Sequence, residues 1–184
     1  MVSPYYIPGR IGMESLRTNH RNGVRLRLVT NSLAATDEPA VHAVYEQYRK
    51  KLLGLRMEID ELSPTLAARA LGLGPPGATT AALHMKVIFF DRTSVFVGSM
   101  NLDGRSEQYN TEVGVMIRSP ELTRRLLSLV DFAPSCYRVQ LDAGGQLRWT
   151  SRQDEVVHRS DPEAGTLRML GARIIGLAIP PDWL

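Results

Sequence analysis

The segment of residues 84–101 constrains this chain more than any other, because polar side chains recur in it at fixed intervals among apolar, β-forming residues. Residues 83–90 predict a strand, and residues two apart on a strand share a face, so His84 and Lys86 should lie side by side. Asp91 lies an odd number of residues further on and should point the other way. The pattern therefore predicts a strand that carries a polar pair near its beginning.

The same segment predicts a hairpin. Residues 91–94 have the composition of a turn, and residues 95–97 predict a returning strand. That strand would carry Ser99 and Asn101 back towards His84. A neutral imidazole can attack phosphorus near neutral pH, and a fixed ammonium, hydroxyl and amide can neutralise charge on the transition state. The hairpin therefore predicts a phosphodiester site.

The whole pattern resembles the signature of the phospholipase D superfamily at every position that the motif defines. It reads His84-x-Lys86-x4-Asp91-x6-Gly98-Ser99-x-Asn101. The resemblance implies that His84 is a nucleophile that forms a phosphohistidine. It also implies that Lys86, Ser99 and Asn101 hold the phosphate oxygens, a catalysis that requires neither a cofactor nor a metal ion.

Further residues take their expected roles from the same resemblance. Glu112 follows an asparagine by two positions and resembles the carboxylate that orients the histidine ring. Asp91 and Gly98 correspond to structural positions of the motif. Arg105 and Ser106 follow the motif as in many family members, and they could bind substrate or merely cap a helix.

The remaining sequence indicates a branch of the family. Residues 3–9, the strand and loop of residues 23–37, and the helix that follows resemble bacterial cardiolipin synthase-like phospholipase D proteins, particularly the type C group. This resemblance implies an enzyme, a phosphatidyltransferase or phosphodiesterase acting on glycerophospholipids through a phosphohistidine. Two alternatives stay open: a homodimeric nuclease of the same superfamily, and an inactive half that binds anionic lipid without turnover.

The chain has one His-x-Lys motif, whereas the family builds its active site from two. The other histidines, His20, His42 and His158, are not followed by lysine at the second position. The second motif would come from an identical chain or from a missing N-terminal half. Because residues 3–5 resemble the middle of a long protein, we expect residues 1–184 to be a single catalytic domain that forms a C-terminal half.

Composition bounds the class of protein. The 184 residues are 43% hydrophobic and 22% charged, an ordinary balance for one globular domain, and the net charge of +3 suits an anionic substrate without choosing phospholipid over nucleic acid. No apolar run approaches ~20 residues, and no signal peptide is visible. The sequence contains no His-Glu-x-x-His motif, so it predicts no metal site of that kind. We expect a bacterial protein, cytoplasmic or peripheral on the inner membrane.

Alternating strands and helices predict the fold. The expected class is α/β, a phospholipase D-like sandwich with a mixed β-sheet flanked by helices. The predicted strands are residues 4–7, 24–30, 56–60, 83–90, 95–99 and 111–117, with a later hairpin of residues 136–141 and 147–151. The predicted helices are residues 11–21, 40–53, 120–131 and 162–175. Residues 72–80 predict a loop that controls access to His84.

Overall fold

The computed structural model describes residues 1–72, 81–151 and 156–179. The helices are α1 (Gly9–Arg21), α2 (Pro39–Gly54), α3 (Pro64–Ala70), α4 (Gly104–Gln108), α5 (Pro120–Leu129) and α6 (Thr166–Ala178), with a 3₁₀ turn at Ala133–Ser135. The strands are β1 (Arg27–Asn31), β2 (Glu58–Leu62), β3 (Val87–Phe90), β4 (Ser94–Gly98), β5 (Gly114–Arg118), β6 (Cys136–Leu141), β7 (Leu147–Ser151) and β8 (Val157–His158).

The strands form two groups, and the first residues of the chain join them into one sheet. One group has the order β1-β2-β6-β7-β8 and the other β3-β4-β5, and every pair is antiparallel except β1 with β2. Val2 lies between them, pairing in parallel with Val29 and antiparallel with Val87. The Val2 amide donates to the Val87 carbonyl at 2.8 Å, and the Ser3 amide donates to the Val29 carbonyl at 3.0 Å. This mixed sheet with flanking helices confirms the predicted fold class.

The main core lies between the sheet and α2. Helix α2 buries an apolar stripe whose residues recur at helical spacing: Val41, Val44, Tyr45, Tyr48 and Leu52. It packs with Leu28 of β1 and Ile59 of β2, both fully buried. Four of the five residues in each of these adjacent parallel strands are buried, as expected where helices cover both faces of a sheet. The apolar face of α2 and the two buried strands thus form one helix-on-sheet core.

Most predicted elements are confirmed. The 136–141 and 147–151 hairpin is present as β6 and β7, paired from Tyr137 with Ser151 to Leu141 with Leu147. Helix α5 begins as predicted, with Pro120 in its first turn and the Ser119 hydroxyl accepting from the Leu122 amide at 3.2 Å.

Some boundaries differ from the predictions. The strand predicted over residues 4–7 is reduced to isolated bridges at Val2 and Tyr6. The strand predicted from residue 83 begins at Val87, because the chain pairs only from there, so His84 and Lys86 precede β3 rather than sharing a face of it. The short helices α3 and α4 were not predicted. The predicted access loop lies almost wholly outside the described residues. Among the described residues, no helix has the length and apolarity to cross a membrane.

Candidate active site

The β3–β4 hairpin brings the two ends of the motif together. At its tip, Asp91 and Arg92 both have positive φ angles, 46° and 59°, and the Thr93 amide donates to the Phe90 carbonyl at 2.9 Å. Two central residues of this kind make a type I′ turn, which matches the twist of paired strands. Aspartate tolerates this conformation better than most residues. Asp91 is therefore exposed at the turn, away from the end of the hairpin that carries the other motif residues.

At the other end, Gly98 allows a close approach of neighbouring backbone. The Gly98 amide donates to the Lys86 carbonyl at 3.2 Å, which places the ends of the hairpin side by side. A Cβ atom on Gly98 would lie 2.7 Å from the Val113 carbonyl oxygen, closer than atoms in contact can come. The structural role predicted for Gly98 thus has a geometric reason: any side chain would push β4 away from the segment that carries Glu112.

Ser99 and Glu112 are directly hydrogen-bonded. The Ser99 hydroxyl donates to Glu112 Oε2 and accepts from the Val113 amide at 3.0 Å. The Asn110 side chain donates to Glu112 Oε1 at 3.3 Å. The hydrogen bond from Ser99 is the main reason that the pKa of Glu112 lies below its usual range. Desolvation opposes it, and the contacts with Asn110 and Ser106 and the charge of Lys86 lower the pKa further. Glu112 is therefore an anion at neutral pH.

Lys86 lies within electrostatic reach of that carboxylate. Its Nζ donates to the His84 carbonyl oxygen at 3.0 Å. Burial lowers the pKa of Lys86, and the negative charges of Glu112, Asp37 and Asp103 oppose the shift. The ammonium is thus partly stripped of water beside an anion, a suitable position for a group that neutralises phosphate charge.

The imidazole of His84 is exposed and forms no hydrogen bond with any side chain in the described parts of the chain. The carboxylate of Glu112 is engaged with Ser99 and Asn110 instead. The predicted hydrogen bond between His84 and Glu112 is thus not formed here, and the orienting role of Glu112 stays a prediction.

The backbone just before His84 is fixed by a residue that sequence reasoning missed. Asn31 is buried at the end of β1, where its Nδ2 donates to the Leu83 carbonyl at 3.1 Å and its Oδ1 accepts from the Leu83 amide at 2.8 Å. A side-chain amide matches a peptide group in this paired manner. One sequence signal could have indicated this role. Asn31 ends an apolar strand, and a buried side-chain amide at that position must find a hydrogen-bond partner outside the strand.

Asn101 lies at a small cavity near the motif. The cavity has a volume of about 130 Å³, and its lining includes Asn101, Arg105, Ser106 and Asn110. Asn101 Oδ1 is buried and accepts no hydrogen bond from the described residues, so it is available to a bound group.

Sequence reasoning also missed Asp103, whose carboxylate caps α4 by accepting from the Ser106 amide at 2.8 Å.

A separate cluster has the composition of a metal site. His42, Glu46 and Asp161 present ligand atoms within 4.8 Å of one another. The guanidinium of Arg49 already lies among them, with Nη2 2.9 Å from His42 Nε2 and 3.0 Å from Asp161 Oδ1. A second cation there would meet the charge of Arg49 at short range, so this donor set does not suit a metal ion.

We expect Asn31→Ala to lower both stability and turnover. The buried amide and carbonyl of Leu83 would lose their partners, at a cost of about 1–3 kcal/mol in the free energy of unfolding. The segment that carries His84 would also lose its anchor, and turnover should fall about tenfold or more. Urea denaturation and single-turnover kinetics measure the two effects. The exposed Asn22→Ala is the matched control, and an Asn31→Ala protein that behaves like it would remove the anchoring role.

The chain resembles known proteins along its whole length. Residues 1–131 match a family model described as cardiolipin synthase, PLD-like domain. Cardiolipin synthase C of Escherichia coli K12 is 35% identical over 194 aligned positions, which cover 100% of this chain and 40% of that protein. The chain thus spans well under half the length of this relative.

Two solved structures share the fold. The phospholipase D family member Nuc from Salmonella typhimurium superposes with a TM-score of 0.53 at 19% identity, covering 76% of this chain and 80% of that one. The phosphatidylserine synthase of Haemophilus influenzae Rd KW20 superposes with a TM-score of 0.54 at 16% identity, covering 96% of this chain and 37% of that one.

Proposed function

Because the chain belongs to the family of cardiolipin synthase, PLD-like domains, we propose that it supplies one catalytic motif for phosphatidyl transfer. The phosphodiester of a glycerophospholipid is the substrate, and a lipid alcohol or water is the acceptor. One observation carries the proposal: the backbone bond between Gly98 and Lys86 holds the His84 segment beside Ser99 and Glu112. The segments that carry His84, Lys86 and Ser99 thereby lie at one end of the hairpin, which supports their proposed roles as nucleophile, ammonium and hydroxyl of one site.

The proposed reaction begins with attack of the His84 imidazole on phosphorus. A P–N bond forms while the P–O bond to the leaving alcohol breaks, which yields a phosphohistidine. Lys86, Ser99 and Asn101 stabilise the charge on the non-bridging oxygens. The group that protonated the leaving alcohol then takes the proton of the acceptor hydroxyl, whose oxygen forms a P–O bond as the P–N bond breaks and releases the imidazole. In the substrate complex, Glu112 turns to the exposed His84 ring and fixes its tautomer, so that the other ring nitrogen faces phosphorus.

The proposed site needs a second His-x-Lys motif. One imidazole cannot attack phosphorus and protonate the departing oxygen in the same in-line step, so a general acid must approach from the opposite side. An identical chain or an N-terminal half carrying the same motif would supply it. An exposed apolar patch next to Ser99 supports such pairing. It consists of Val97 and Val115, which pair across β4 and β5, and of Val113, which immediately precedes β5; they are 40%, 58% and 74% exposed.

The substrate also bears on location. Glycerophospholipids lie in bilayers, so the proposal includes peripheral contact with the inner membrane of a bacterium. Nucleic acid remains the competing substrate, since the same chemistry cleaves any phosphodiester.

The proposal is tested by measuring turnover of phosphatidylglycerol vesicles and of DNA at increasing protein concentration. If two chains share a site, specific activity on the lipid should rise with protein concentration as dimers form. In a mixture of His84→Ala and wild-type chains, the mixed dimers should be inactive, so the specific activity of the wild type should fall. If an N-terminal half is required, activity should appear only when a polypeptide with the second motif is added.

The control for mixing is a variant of another histidine, the half-buried His20. His20→Ala chains mixed with wild type should leave the specific activity unchanged. Cleavage of DNA without lipid turnover would replace the lipid substrate. Full lipid turnover by a chain that sedimentation shows to be monomeric would refute the shared site.

A further inference from the structure

Helix α6 carries an apolar stripe on its outer face. Leu167, Leu170, Ile174 and Leu177 recur at intervals of three and four residues, so they share one side of the helix. They are 86%, 56%, 60% and 90% exposed. Scattered apolar side chains are common on protein surfaces, but four in one helical row form a continuous surface.

The opposite face of α6 is packed, so the helix is held in place with its stripe outward. Ala172 is buried against Leu33 and Ala43, with Met169 and Ile175 beside them. The side chain of Gln47 on α2 also donates to the Gly176 carbonyl at 2.7 Å. The stripe is therefore a fixed feature of the folded domain.

The surface beside the stripe is cationic. A cavity of about 370 Å³ adjoins α6, and its lining includes Lys50, Arg159 and Arg173, all exposed. None of the three forms an ion pair within the described residues. The acids of the same cavity, Glu46 and Asp161, are engaged with the buried Arg49. Helix α6 itself contains no acidic residue.

We propose that α6 and the three neighbouring cations form a surface that docks on an anionic phospholipid bilayer. The inference rests on the proposed function, because it places the domain where its substrate lies. A helix of 13 residues is about 20 Å long, too short to span the hydrocarbon core and suited to lying in the interface. The apolar row enters the acyl boundary, and the cations contact lipid phosphates.

Charge favours a bilayer over a second copy of the chain. A symmetric contact through α6 would bring Arg173 of one copy towards the cations of the other, and like charges at an interface oppose association. An anionic lipid surface offers the opposite charge to the same residues.

The test is flotation of the full chain with phosphatidylcholine vesicles that contain or lack phosphatidylglycerol. Wild type should float with the anionic vesicles only, and added salt should weaken binding. The double variant Leu170→Gln/Ile174→Gln should bind at least about tenfold more weakly. Arg173→Glu should also lose about tenfold. The matched control is Ile11→Gln, which changes a 67% exposed side chain on α1 and should bind as wild type does.

Two further measurements separate the alternatives. Wild type and each variant are assayed on a dispersed short-chain phosphatidylglycerol with the second motif supplied, and all should turn it over equally. Wild type that binds anionic vesicles but turns over no lipid would overturn the proposed function and leave the docking surface standing. The docking proposal would be overturned if wild type did not bind anionic vesicles, or if the double variant bound them as tightly as wild type does. It would also be overturned by a double variant whose only change is conversion of a dimer to monomers in sedimentation.

Discussion

Replacement of His84 by alanine is expected to abolish turnover and leave the fold intact. The imidazole is the proposed nucleophile, and no neighbouring group can form the same bond to phosphorus. We expect a loss of at least about 10³-fold, which is the scale for removing a covalent nucleophile. Because the side chain is exposed and contributes nothing to the core, the free energy of unfolding should change by less than about 0.5 kcal/mol.

The direct measurement is trapping of the intermediate. Wild type, with the second motif supplied and quenched during turnover of labelled substrate, should carry a phosphoprotein that is labile in acid and stable in base. His84→Ala should carry none, whereas His20→Ala should match wild type. Substantial residual turnover by His84→Ala, or a phosphoprotein on another residue, would exclude His84 as the nucleophile.

Arg49→Met is expected to cause the largest loss of stability. Arg49 is almost fully buried on α2, with Nε 3.0 Å from Glu61 Oε1. Its guanidinium also lies over the rings of Tyr45 and Trp149, at 5.2 and 5.1 Å from their centroids. Glu61 is fully buried on β2, so removing Arg49 leaves an uncompensated buried charge. We expect a cost of about 3–5 kcal/mol in the free energy of unfolding.

A double variant tests the cause of that loss. If the unpaired carboxylate is responsible, Arg49→Met/Glu61→Gln should be more stable than Arg49→Met alone, with a coupling free energy above about 1 kcal/mol. Arg17→Met, an exposed arginine on α1, is the control for the chemical change and should alter stability little. Urea denaturation measures wild type, Arg49→Met, Glu61→Gln, the double variant and the control, because the coupling free energy requires both single variants. A loss below about 1 kcal/mol for Arg49→Met would show that the network contributes little.

The pH dependence of the free energy of unfolding should reflect the ion pair between Arg49 and Asp161. Burial alone would raise the pKa of Asp161, but contact with His42 and the charge of Arg49 outweigh it and lower that pKa to about 2. A carboxyl group with a depressed pKa stabilises the fold above its unfolded value of about 3.9, and this stability is lost as the pH falls towards 2. In Arg49→Met this acid-side loss should be smaller, because one source of the depression is gone.

The sequence by itself determined the local part of this protein. The spacing from His84 to Asn101 predicted the hairpin and the residues that meet at its end, because strand alternation and turn chemistry depend on near neighbours. The stripe of α2 and the hairpin of β6 and β7 followed from periodicity for the same reason. Where the prediction was wrong, at the start of β3, the boundary depends on pairing with Val2, more than 80 positions away in the chain.

Tertiary structure alone decided the contacts between distant residues. Asn31 holds the backbone at Leu83 across 52 positions, and Arg49 meets Asp161 across 112. The sequence predicted the helices that carry Arg49 and the apolar row of α6, but it predicted neither the burial of Arg49 nor the exposure of that row. Burial of a side chain depends on which elements pack over it, and that arrangement follows from the whole chain rather than from the residues beside it.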